Sequence, residues 1–320
     1  MILAGDLGGT KANLGLFDIQ QGKLACVAKK RYATQQHSGL DEMVKDFLGE
    51  SGGKVSASSF GIAGPVVNNK VRGTNLPWEV DGAVLAQLLG LSRVRLVNDL
   101  EAAAYGIGVM EPKDLETLHP GVVTLEANRA VIAAGTGLGE GVLFWDGKQH
   151  LPMATEAGHA DFAPNTKQQA DLWQYLNTRS EFVTSETILS GRGFQRVHEF
   201  LNPSVRHPGF DDHSTDPAPE IARRGLSAEC PVCVETLDLW VEIYGAEAGN
   251  LALRTVARGG IYITGGIAVK ILPKLRIGRF VAAVRHKEKL EEFLAQIPIH
   301  VVLNEDCPLM GAAFVAWKSL

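Results

Sequence analysis

"ILAGDLGGTKANLGLFD" (Ile2–Asp18) is an apolar run, a turn through "LGGT", and a second apolar run ending in an aspartate. "VIAAGTGLGEGVLFWDG" (Val131–Gly147) repeats the order far downstream, with "GTGLG" as its turn. Each stretch predicts a β-hairpin with glycines and a threonine at its turn. Glycine admits backbone conformations closed to other residues and lets the chain approach a ligand with no Cβ in the way. Successive turn amides can converge on an anion, and a threonine hydroxyl adds a donor. One such hairpin is compatible with a plain tight turn. Two of them, one per half of the chain, favour a phosphate-binding role, since they could face each other across a cleft.

Outward from the first hairpin, Leu24–Lys30 extends an antiparallel meander, and "LDEMVKDFLGE" (Leu40–Glu50) has the apolar spacing of an amphipathic helix. "ASSFGIAGPV" reads as a buried strand. "VDGAVLAQLLG" reads as a helix closed by Gly90, and "VRLVNDL" as a strand ending at Asn98–Asp99 before the alanine-rich helix "EAAAYG". The second half repeats the plan: glycine hairpin, helices, the buried strand "IYITGG" (Ile261–Gly266), more helices. Strands followed by alternating β and α elements, twice over, predict an α/β protein of two related domains. Each sheet would be mixed, antiparallel at one edge and parallel beyond it. The boundaries fall at 1–108 plus 303–320 for a small domain and 109–302 for a large one. "VMEPKDLETLHPGVVTL" would be a loop-rich crossing between them, and Leu201–Glu220, rich in Pro, Asp and His, an exposed loop of the second.

The 320 residues are 45% hydrophobic and 21% charged, with 35 glycines, which is ample for two packed cores. The net charge is −5 and no basic run occurs, so neither nucleic acid nor an anionic membrane is an expected partner. No apolar run reaches the ~18 residues of a spanning helix. Four scattered cysteines give no disulfide framework, and Met1 leads straight into a strand without a charged leader; a cytoplasmic protein is expected. There is no G-x-x-x-x-G-K-[ST], and apolar strand residues rather than a helix follow "GTGLG", which counts against a dinucleotide fold.

The ordered set "DLGGT", "GTGLG", "ITGGI" (Ile263–Ile267) and "LMGAA" (Leu309–Ala313) resembles the phosphate, adenosine and closing-helix motifs of the actin, heat-shock chaperone and hexokinase superfamily. The resemblance covers essentially the whole chain and implies the ribonuclease H-like, actin-type ATPase fold around a central cleft. Within it, "VNDLEA" (Val97–Ala102), "TEAGHADFAPNT" (Thr155–Thr166) and "SETILSGRG" (Ser185–Gly193) are most similar to the proteobacterial-type glucokinase family, with support from "AGPV" and "TNLPW". One departure separates the chain from the related ROK kinases and repressors. "ECPVC" (Glu229–Cys233) is not their C-x-C-G-x-x-G-C cluster, so Cys230 and Cys233 read as two thiols packed on a helix rather than zinc ligands. The first strand opens without a helix-turn-helix pattern before it, so a repressor is not the expectation.

The resemblance implies ATP-dependent phosphorylation of glucose at its 6-hydroxyl, with Mg²⁺ as cofactor and a homodimer as assembly. Asp99, at the end of an apolar strand, would be the base toward that hydroxyl; on the residues alone it could equally cap the helix after it. Asn75, Asn98, Asp99, Glu156, His159 and Glu186 would bind the sugar. Gly8, Gly9, Thr10, Gly135, Thr136 and Gly137 would hold phosphates, and Gly265 and Gly266 would leave room for adenosine. Asp6 would bind the nucleotide's Mg²⁺ through water. Kinase action on another hexose or an amino sugar, and a non-catalytic sugar-sensing regulator, remain alternatives.

Overall fold

Residues 73–75, 77 and 204–215 apart, the computed structural model describes the whole chain. It divides into two compact units, Met1–Asp114 with Leu151–Ala154 and Asn304–Leu320, and Leu115–His150 with Thr155–Leu303.

In the first unit the opening hairpin closes with Leu7 opposite Ala12, joining β1 (Ile2–Leu7) to β2 (Lys11–Gln20). β3 (Lys23–Ala33) extends the meander, and β4 (Ala57–Ile62) pairs parallel with β1. A small ribbon of β5 (Lys70–Arg72) and β6 (Glu79–Asp81) stands apart, and β7 (Arg95–Asn98) adds the last parallel strand. The sheet order is therefore β3-β2-β1-β4-β7, antiparallel on one side and parallel on the other. Alternation along β1 sends Leu3 and Leu7 to the face covered by α1 (Leu40–Ser51) and α2 (Gly82–Leu89), and Ile2 and Ala4 to the face covered by the C-terminal helix Cys307–Trp317. Asp81 caps α2 by accepting from the Ala83 N–H, and Gly90 closes it at φ +63°. α3 (Asp99–Ile107) lies so close to the C-terminal helix that a Cβ on Gly311 would run into the Ala102 carbonyl.

Five strands of the second unit, β8 (Leu115–His119), β9 (Arg129–Ala134), β10 (Leu138–Trp145), β12 (Ile261–Thr264) and β13 (Ile299–Val302), join β11 (His150–Thr155) in a sheet of order β11-β10-β9-β12-β13-β8. β9, β12 and β13 are parallel. β8 differs from expectation. Part of the predicted loop-rich crossing is a strand paired antiparallel with β13, so this sheet is antiparallel on both flanks of its parallel centre. The helices are α4 (Lys167–Asn177), α5 (Ser185–Ile188), α6 (Gly191–Leu201), α7 (Ala218–Leu226), α8 (Pro231–Thr255), α9 (Gly266–Lys270), α10 (Leu272–Leu275), α11 (Arg279–Arg285) and α12 (Glu291–Ala295). The expected Leu201–Glu220 loop is shorter at both ends, because Leu201 still belongs to α6 and Ala218–Glu220 already to α7; its middle lies outside the described residues.

α8 is the spine of this unit's core. Trp240 and Tyr244 are wholly buried on it, Trp240 stacks on Phe194 at a centroid distance of 4.6 Å, and the indole N–H donates to the Ile188 carbonyl at 2.9 Å. That bond fixes the end of α5, which matters for the site below. Cys230 occupies the N-cap position of α8 without a side-chain capping bond, and Cys233 is buried in its first turn. Among the described residues no helix is long and apolar enough to cross a membrane.

Candidate active site

The site residues of the first unit gather at the carboxyl ends of its parallel strands. Hairpin register puts Asp6 directly opposite Asn13. Asn13 Nδ2 donates to Asp6 Oδ2 at 3.4 Å, while Asn13 Oδ1 accepts from Arg31 Nε at 3.0 Å. Burial pushes the Asp6 carboxyl up to about 6, against the pull of Asn13; the charges of Asp99 and Asp306 push it further, and Arg31 opposes them. Asp6, Asp99 and Asp306 thus crowd negative charge at one sheet end. The glycine turn itself is tight: the Gly8 N–H donates to the Lys11 carbonyl at 2.8 Å. Thr34 fastens it, donating from Oγ1 to the Gly8 carbonyl at 3.0 Å and from its N–H to the Thr10 carbonyl at 3.1 Å. Gly8 and Gly9 remain half-buried and Thr10 exposed.

Asp99 is the first residue of α3 and half-buried. The cap that sequence reading left open for it falls to Asn98. Its Oδ1 accepts from the Leu100 and Glu101 N–H groups at 2.9 and 3.3 Å, and its Nδ2 donates to the Gly64 carbonyl at 3.1 Å. With those bonds made, the Asn98 amide has a single N–H left to offer a ligand. Asp99 Oδ1 also lies 2.9 Å from the Leu100 N–H. Asn75 lies outside the described residues.

In the second unit, the turn between β9 and β10 is closed by the Gly135 N–H donating to the Gly137 carbonyl at 2.8 Å, with Thr136 exposed. Gly265, at φ +89°, follows β12 where a Cβ would press into the Ala134 carbonyl, so the turn after β12 lies against the start of this glycine turn. Gly266 has open space around it. Glu156 and His159 do converge from one turn: Ala157–His159 is a short 3-10 helix, and the His159 N–H donates to the Glu156 carbonyl at 3.0 Å. Both side chains are exposed. This segment runs beside the start of α5, through Phe162 N–H to the Val183 carbonyl at 2.9 Å and Ser185 N–H to the Ala160 carbonyl at 3.0 Å. Thr184 and Thr187 bond reciprocally to cap α5, which sets Glu186 in its first turn. There Glu186 Oε2 accepts from the Leu138 N–H at 2.9 Å, and Oε1 lies 4.0 Å from His159 Nδ1.

Each unit therefore assembles most of its predicted residues. What the sequence reading missed is the support behind them: Asn13, Arg31 and Thr34 around the first turn, Asp306 beside Asp6, and Gly191, whose N–H donates to the Gly135 carbonyl at 2.9 Å. Asn13 was legible, since counting back from a Leu7–Ala12 closure places it across from Asp6. A second missed group is Glu140 on β10, wholly buried beside Glu247, whose own oxygens are taken by Arg254 at 2.7 Å and Asn250 at 2.9 Å. Burial and the Glu247 charge push the Glu140 carboxyl up to about 8.

Chemically, the arrangement offers backbone cradles for anions, a carboxylate at a strand end able to take a proton, and a carboxylate–imidazole pair able to bind hydroxyls. The family profile described as Glucokinase matches residues 3–319. A glucokinase of a Nostoc species is 36% identical over 99% of this chain and 98% of its own length. Among solved structures, a glucokinase from an Antarctic psychrotroph is similar at a TM-score of 0.86 and 26% identity, covering 99% of this chain and 98% of that one. The glucokinase of Balamuthia mandrillaris, solved in complex with glucose, shares the fold at a TM-score of 0.78 and 21% identity, covering 99% and 93%.

Proposed function

The chain belongs to the glucokinase family and is a kinase that phosphorylates glucose; on that premise we propose which of its residues do the work. Asp99 is the base, or at least the orienter, of the glucose 6-hydroxyl. The observation that carries this is the placement of Asp99 at the carboxyl end of β7, in charge contact with Asp6 at the end of β1. Glu156, His159 and Glu186 bind sugar hydroxyls, joined by Asn75 and by the one free N–H of Asn98. The amides of Gly8–Thr10 and Gly135–Gly137 hold the phosphates of ATP, and Gly265–Gly266 the adenosine.

The crowding of Asp6, Asp99 and Asp306 suits a cation, since positive charge would relieve the repulsion that adds to burial in raising Asp6. Asp6 would hold Mg²⁺ through water, alongside the nucleotide. When bound, Mg²⁺ neutralises charge on the transferred phosphoryl group. The chain's own residues position the hydroxyl and the phosphates, and Asp99 accepts the proton, late in a loose transition state. The protein works in the cytoplasm, as a homodimer.

The test is ADP release from purified protein with ATP, Mg²⁺ and a panel of hexoses and amino sugars. Glucose should be turned over fastest; sugar binding without ADP would instead describe a sensor. Asp99→Asn should keep glucose affinity within about threefold while kcat falls by ~10²-fold or more. Turnover surviving within a few-fold would remove Asp99 from the role of base.

A further inference from the structure

One segment grips both ends of the second glycine turn. At its start, the Gly191 N–H donates to the Gly135 carbonyl at 2.9 Å; at its exit, Glu186 Oε2 accepts from the Leu138 N–H at 2.9 Å. The Gly191 donor and the Glu186 acceptor both belong to Ser185–Gly193, which is itself held rigidly. Thr184 and Thr187 cap α5, Trp240 ties the Ile188 carbonyl from the core, and Ser190 Oγ accepts from the Gly193 N–H at 3.3 Å. Gly137 has no Cβ, and one placed there would strike Glu186 Oε2, so the glycine admits the carboxylate against the turn. The other oxygen, Oε1, faces His159 at 4.0 Å.

We propose that Glu186 is a positioning residue for the nucleotide, bracing the Gly135–Gly139 turn through the Leu138 amide in addition to touching sugar. This rests on the reading of that turn as a phosphate cradle. The two oxygens divide the work. Oε2 is committed to the backbone and fixes the direction in which the preceding turn amides point; Oε1 stays with His159 and the sugar. Occupancy of the sugar site is then felt by the phosphate turn through a single rigid carboxylate, with no rearrangement of the chain between them.

The test separates the two roles by titrating a non-hydrolysable ATP analogue with Mg²⁺, in the absence of sugar, into the full-length protein and three variants, with glucose KM measured alongside. Glu186→Gln keeps a carbonyl oxygen for the Leu138 amide and should hold the analogue within about twofold of wild type while raising glucose KM. Glu186→Ala deletes the acceptor, and Glu186→Asp keeps the charge but shortens its reach; both should weaken the analogue by about fivefold or more, the loss of one hydrogen bond to a charged group. Should the alanine variant not fold, the aspartate variant carries the comparison. Analogue binding equal to or tighter than wild type in the alanine or aspartate variant overturns the proposal while leaving the kinase reading intact. A wild type that binds no analogue would remove the premise itself.

Discussion

Asp6→Asn should make the protein more stable and much less active at once. In the folded chain the Asp6 carboxyl sits at about 6, against 3.8 when unperturbed, chiefly through burial and with help from Asp99 and Asp306. A group whose folded pKa lies above its unfolded one holds more protons folded than unfolded between the two values. Folding is therefore opposed increasingly as pH rises from about 4 to 6, and the full penalty persists above that. At ~1.4 kcal/mol per pH unit the ceiling is about 3 kcal/mol at pH 7, falling to roughly half at pH 5 and to about 0.5 kcal/mol at pH 4. Partial solvent contact and the amide's own desolvation trim the gain to about 1–2 kcal/mol at pH 7. The amide keeps an acceptor for Asn13 and offers a donor toward the neighbouring carboxylates, so no new unsatisfied group is created. Urea unfolding of both proteins at pH 8, 7, 5.5 and 4 reads this directly, while kcat/KM should drop by ~10²-fold from lost phosphate and cation positioning. A stability difference that stays flat with pH, or a less stable variant, would refute the charge-crowding argument.

Three further outcomes follow from the same kind of reasoning. Glu140→Gln should stabilise the protein, and the gain should widen by about 1 kcal/mol between pH 7 and 9. The wild-type carboxyl, at about 8, is still losing its proton there, while in the unfolded chain it has long been ionised; denaturant midpoints at the two pH values check it. Val256 ends α8 at φ +50° with its side chain more than half exposed, a conformation that a β-branched residue adopts at a cost. Val256→Asn should raise stability by about 0.5–1 kcal/mol in thermal or urea unfolding, with kcat unchanged. Gly311→Ala should cost about 1–3 kcal/mol, because its Cβ would drive α3 and the C-terminal helix apart at the Ala102 carbonyl; a Tm within a degree of wild type would contradict so tight a contact.

The parts of the fold that local chemistry dictates were legible in the sequence. The first hairpin follows from a glycine turn between two apolar strands, α1 from its apolar spacing, and the end of α2 from Gly90 in the left-handed region. β8 was not, because "LETLH" is half-buried and lacks alternation; it becomes a strand only because β13 offers an open backbone edge. Such tertiary pairing leaves no mark on the residues that accept it. The opening of α7 was hidden for a related reason: Pro217 and Pro219 read as loop residues, yet proline is at home in a helix's first turn.

The candidate site shows the same division between side chains proposed to meet ligands and side chains that hold those in place. Asp99, Glu156, His159 and Glu186 could be picked out because their types and motifs imply chemistry. Asn98, read as a sugar ligand, also caps α3 through its Oδ1, and Asp99 Oδ1 lies as close to the Leu100 N–H. Asn next to Asp at a strand end thus opens the helix as a pair, the Asn98 oxygen accepting from the Leu100 and Glu101 N–H groups and Asp99 Oδ1 sharing the first of them. The supports around the glycine turns are harder to read, because Thr34, Arg31 and Gly191 lie far from those turns in sequence and act on backbone atoms, which every residue possesses. A turn of small residues has few side chains to define its own shape, so its geometry must be imposed from outside. Wherever a sequence shows a bare glycine cradle, its rigidity has to be sought in distant donors and acceptors, and in this chain the Ser185–Gly193 segment supplies them for the second turn.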